Sequence, residues 1–95
     1  MNESTKQSRI DWRDEDEYWR SNYSTRPYVT SETYETYQPG YRYGYEAALR
    51  NDGREWNDIE RDLETDWDTY EHRGKSTWQQ VKDAARDAWD RMMGR

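Results

Sequence analysis

Trp56, Trp67, Trp78 and Trp89 stand 11 residues apart, and this spacing limits the chain more than any other feature. Ile59 and Leu63 lie between the first two, Val81 and Ala85 between the last two. Each segment reads aromatic, then apolar at +3 and +7, then aromatic at +11. These offsets fall on one stripe of a 3.6-residue helix, three turns of which take about 11 residues. Twenty-two residues earlier the same offsets give Tyr34, Tyr37, Tyr41 and Tyr45. A further step back gives Trp12, Glu15, Trp19 and Tyr23, with one apolar position taken by a charge. Four 22-residue units describe the chain, each expected to form one helix and a connection. Flanking positions agree: Asn22, Gly44, Asp66 and Ala88 precede the fourth site, and Arg20, Arg42 and Arg86 follow the third, where Glu64 is the exception.

Such a repeat needs material to bury, and aliphatic side chains do not supply it. Leu, Ile and Val number six in 95 residues, Phe is absent, and 38% of the chain is charged. On aliphatic content alone the chain reads as disordered. Six Trp and nine Tyr reverse that reading, because each ring brings a large apolar area and a polar handle. The expected core is therefore Trp12, Trp19, Tyr23, Tyr41, Tyr45, Trp56, Ile59, Leu63, Trp67, Trp78, Val81, Ala85 and Trp89. The predicted fold is an all-α bundle of three to four helices in a single domain over residues 10–93, with residues 1–9 a disordered tail.

The predicted helices are 14–24, 39–50, 55–70 and 77–92. Asp52 with Glu55, and Ser76 with Gln79, have the spacing of capping boxes. Pro39-Gly40 disfavours one continuous helix from Tyr34, so 34–37 reads as a separate turn and the helix as starting at Pro39. Tyr28 and Val29 are expected to pin the loop over 26–31. The short connection 71–76 makes the last two helices antiparallel, bringing Trp67 to Trp78 and Trp56 to Trp89. Ala85 then faces Leu63 and lets the two helices approach closely.

Little in the chain points to catalysis. Cysteine is absent, which excludes disulfides and thiolate chemistry. The one histidine, His72, reads as a helix-end group. The acids Asp14, Glu15, Asp16 and Glu17 lack the spacing of a calcium loop and read as a solvated helix face. Gly40 and Gly44 lack the strand and lysine of a phosphate loop. Gly44 fits close helix packing, while Arg42 either covers an aromatic face or joins an outward Tyr43 in a recognition patch. Replacing Tyr43 is on that account expected to cost little. No catalytic, cofactor-binding or metal-binding residue is expected. A net charge of −6 disfavours nucleic acid and anionic membrane, and no apolar run spans a bilayer. With no signal peptide evident, a cytoplasmic location is expected.

Tyr37-Gln38-Pro39-Gly40-Tyr41-Arg42-Tyr43-Gly44-Tyr45-Glu46 and the closing Trp89-Asp90-Arg91 resemble a group of uncharacterised small bacterial proteins. These share a Tyr-x-Pro-x-Tyr-Arg-Tyr-Gly-Tyr segment and a terminal Trp-Asp-Arg. The resemblance covers about residues 15–92, with Gly40 where that pattern has Ala. It implies a bacterial source and a loose association with stress-response modules, and brings no catalytic residue. The function expected is a non-enzymatic structural or protein-interaction module with a protein partner or self-association. The alternatives are a small-ligand binder with an aromatic-lined cleft and a weak single-stranded nucleic-acid binder.

Overall fold

The computed structural model describes residues 11–30, 33–51 and 53–94; the expected 1–9 tail and the cap at Asp52 lie outside them. The chain is an all-α four-helix bundle with no strand among the described residues. Helix α1 spans Trp12–Asn22 and continues into a 3₁₀ turn, Tyr23–Thr25; α2 is Tyr34–Arg50, α3 Trp56–Trp67 and α4 Trp78–Met92. The helices begin at residues 12, 34, 56 and 78, the first position of each 22-residue unit.

Their caps stand one residue earlier. Asp11 accepts the Asp14 amide through its side chain, and capping boxes join Glu55 with Asp58 and Thr77 with Gln80. The box expected at Ser76 is thus displaced by one residue, to Thr77. Ser76 is instead buried, donating its hydroxyl to the Thr36 carbonyl at 2.7 Å.

Pro39 lies inside α2, and the separate turn expected at 34–37 does not form. A proline there removes the hydrogen bond to the carbonyl four residues earlier, at a cost of about 3 kcal/mol. Burial of Tyr34 and Tyr37 opposes that cost at roughly 1.5–3 kcal/mol per large side chain. Tertiary packing therefore decides the helix start.

Helix α2 is central, with α1 on one side, α3 on another and α4 along its length. Its close partner is α4. A Cβ on Gly44 would come within 2.0 Å of the Ala85 carbonyl oxygen, and one on Gly40 within 2.5 Å of the Val81 Cβ. Gly44 therefore serves close approach as expected, but to α4. The close approach expected between α3 and α4 at Ala85 is made instead between α2 and α4, while Ala85 and Leu63 share one cluster. The ends of α3 and α4 do meet as predicted: ring centroids are 6.1 Å apart for Trp67 and Trp78, and 5.9 Å for Trp56 and Trp89.

Two buried clusters result. One gathers Trp56, Ile59, Leu63, Trp67, Trp78, Val81, Ala85 and Trp89, with Tyr43, Ala47 and Ala48 from α2. The other gathers Trp19, Tyr34, Tyr37, Tyr41, Ala84 and Ala88. Trp12 and Tyr23 are only half-buried at its edge, and Tyr28 and Val29 pack on it, holding the loop as expected. Tyr45 is buried, 5.7 Å from the Trp12 ring.

Tyr43 is a correction. It is 3% exposed, T-shaped against Trp67, and donates its hydroxyl to the Leu63 carbonyl at 2.6 Å. A helix covered on several sides buries more than one stripe, and Tyr43 lies on the side that faces α3. Glu15 is a second correction: it is fully buried, so 14–17 is not a wholly solvated face.

Candidate interaction groove

Helix α4 places Asp83, Arg86, Asp87, Asp90 and Arg91 along one side, at helical offsets of 0, 3, 4, 7 and 8. The loop after α1 runs beside it. Between them lies a cleft of about 570 Å³ lined by Arg26, Pro27, Tyr28, Asp83, Arg86, Asp87 and Asp90. A second depression of about 370 Å³ shares Arg26, Asp87 and Asp90 and adds Tyr18, Trp19 and Arg91. Together they form one elongated groove, charged along most of its length.

Asp87 organises the groove. Arg26 donates to it through Nε at 2.8 Å and Nη2 at 3.2 Å, and the Tyr28 hydroxyl donates to Oδ2 at 2.7 Å. The Tyr41 hydroxyl is 2.7 Å from that of Tyr28. A phenol has one hydrogen, and Tyr28 gives its own to Asp87, so Tyr41 is the donor to Tyr28. Burial, then the bonds to Tyr41 and Asp87, raise the Tyr28 pKa well above the phenol range. The hydrogen bond to Asp87 likewise raises that of Arg26.

The same pattern of phenol, carboxylate and guanidinium occurs twice more. Tyr34 donates to Asp16 Oδ1 at 2.8 Å, and Arg20 lies 3.6 Å from Asp16 Oδ2. Tyr70 donates to Glu46 Oε1 at 2.8 Å, and Arg42 Nε lies 3.0 Å from Oε2. Burial first, and the carboxylate second, push both phenols upward. Each triad joins two elements: α1 to α2, the end of α3 to α2, and the loop to α4.

Arg42 is partly exposed, with its guanidinium 5.7 Å from the Trp12 ring centre. It therefore covers an aromatic face, and the expected patch of Arg42 with Tyr43 is not assembled. His72 is exposed beside Glu71 at 3.1 Å. No group of three or more His, Asp or Glu side chains among the described residues is placed to hold a metal ion. No helix among them is long and apolar enough to cross a membrane.

The sequence did not lead to the pair of buried Glu15 with half-exposed Arg91, in which Nε lies 3.0 and 3.2 Å from the two carboxylate oxygens. One signal was available: an acid at an apolar position of the repeat requires a cation within reach. The expected aromatic-lined cleft is also changed in kind. Rings line the groove at Tyr18, Trp19 and Tyr28, but charged groups form most of its wall. No protein-family model, curated protein or solved structure matches this chain.

Proposed function

We propose that the chain is a non-enzymatic protein-interaction module that receives a polypeptide segment of mixed charge along α4. The observation carrying this reading is the alternation of Arg and Asp in an elongated groove whose guanidiniums remain accessible. Arg26, Arg86 and Arg91 have side chains 40%, 53% and 36% exposed. The pair of Arg86 with Asp90 exchanges at small net cost for a pair with an incoming chain, because exposed pairs are worth about 0–1 kcal/mol. Arg26 and Arg91 stay on Asp87 and Glu15 and present only their exposed sides. Alternating charge supplies register and selectivity to such an encounter. The resemblance to small bacterial proteins loosely associated with stress is compatible with an adaptor role. A small-ligand reading draws support only from the groove's volume, and a nucleic-acid reading is weakened by the burial of most rings.

A photoreactive residue placed at Arg86 should crosslink a discrete partner in cells, and one at Glu64, on the outer side of α3, should not. Reversing the groove with Asp83→Arg should abolish the adduct while leaving the helical circular dichroism unchanged. No adduct at position 86, or equal adducts at both positions, would overturn the reading.

A further inference from the structure

Trp19 and Tyr41 are stacked face to face, 4.4 Å between centroids and 6° from parallel. Tyr18, 37% exposed, meets Trp19 edge-on at 4.9 Å. A line of rings thus runs from the surface to a phenol with no exposure at all. The phenol is joined through Tyr28 to the Asp87 carboxylate by two bonds of 2.7 Å.

We propose that this line is a one-electron oxidation site, in which Tyr41 yields an electron to radical oxidants of the peroxyl class and its proton moves through Tyr28 toward Asp87. The Tyr41 O–H bond breaks and a new one forms on the Tyr28 oxygen. The former Tyr28 proton passes to Asp87 Oδ2. The products are a neutral Tyr41 phenoxyl, an intact Tyr28 phenol, a protonated Asp87 and the alkylperoxide anion, which takes a proton from water to give the hydroperoxide and hydroxide.

Three features direct the oxidising equivalent inward. The Arg91 guanidinium sits 3.5 Å from the Tyr18 ring centre, so its positive charge disfavours a hole resting on Tyr18. The Trp19 indole N–H is buried with no hydrogen-bond partner among the described residues. An oxidised Trp19 therefore has no protein group to receive its proton and remains a cation, a costly state in a low-dielectric interior. Tyr41 is the neighbouring ring that has a proton acceptor chain. Arg26, partly exposed, is solvated when Asp87 becomes neutral.

The test is oxidation of the whole protein by radiolytically generated azide radicals, followed optically and by electron paramagnetic resonance. The expected result is decay of a tryptophan radical into a long-lived tyrosyl radical, at a rate independent of protein concentration. Tyr41→Phe should lose the long-lived tyrosyl signal, and Asp87→Asn should slow its formation; Tyr18→Phe should slow arrival of the hole at Trp19. The unaltered protein should show slower tyrosyl formation in D₂O than in H₂O, which keeps the test valid if a variant fails to fold. An unchanged tyrosyl signal in folded Tyr41→Phe, or no solvent isotope effect, would overturn the proposal.

Discussion

The cluster around Trp67 and Trp89 and the cluster around Tyr41 are both built of rings, yet different forces hold them. In the first, indoles and aliphatic side chains fill the space between α2, α3 and α4, with hydrogen bonds from Tyr43 to Leu63 and Trp67 to Ser76. In the second, phenols stack beneath α1 and reach out to carboxylates: Tyr34 to Asp16, and Tyr41 through Tyr28 to Asp87. Burial in the first is non-directional and scales with area. The second adds charge-assisted bonds, which are strong when made and costly when half-made. Two ring-rich cores in one small protein therefore fail in different ways. One responds to volume, the other to the loss of a partner.

The largest expected effect is where the clusters share a wall. Gly44→Ala forces a Cβ against the Ala85 backbone, which cannot swing aside as a side chain does. Loss of most of the folding stability is expected, read as a collapsed urea midpoint. Next, Trp67→Ala and Trp89→Ala should each cost about 3–5 kcal/mol by leaving cavities. The two sites should separate on Trp→Phe replacement: Trp67 gives its indole N–H to the Ser76 carbonyl at 3.0 Å, whereas that of Trp89 has no partner among the described residues. Trp67→Phe should therefore lose about 1 kcal/mol more than Trp89→Phe in denaturant melts.

The ion pair beside the second cluster provides a test by asymmetry. Arg91→Met leaves the fully buried Glu15 carboxylate uncompensated, while Glu15→Gln leaves a guanidinium that water still reaches. The first should cost about 3–5 kcal/mol and the second clearly less. Glu15→Leu combined with Arg91→Met should restore most of the loss in a double-mutant cycle. Equal single losses would mean that the charge itself is unimportant there.

Tyr43→Phe sharpens the contrast from the apolar side, with an expected cost of about 1 kcal/mol for a hydrogen bond deleted without a cavity. Tyr43→Ala, which the sequence reading expected to be cheap, should approach the tryptophan losses. Alkaline pH gives the most gradual effect. Burial pushes the Tyr43 phenol up to about 12, above its ordinary value near 10. Its protonated form is favoured by folding, so this contribution is complete below about pH 10 and is lost as pH rises through about 12. Stability measured by urea melts should fall across that window, and less steeply in Tyr43→Phe.

The helices were legible because their signal is local. Rings at 0, 3, 7 and 11 share one side of a helix whatever it packs against, and so the sequence by itself determined the helical class and where the units begin. It also placed the ends of α3 and α4, because a short connection leaves adjacent helices little choice of direction. The start of α2 was misread for the opposite reason: Pro39 is a local penalty, and burial of Tyr34 and Tyr37 from elsewhere in the chain outweighed it. Tyr43, Glu15 and Asp87 were decided only by tertiary structure. A tyrosine off one stripe turns inward when its helix is covered on several sides, which no single helix reveals. Glu15 meets Arg91 across 76 residues and Tyr28 meets Asp87 across 59. Sequence spacing encodes what one helix presents along its own axis; the partner that makes a buried charge or phenol tolerable depends on how the helices are set against one another.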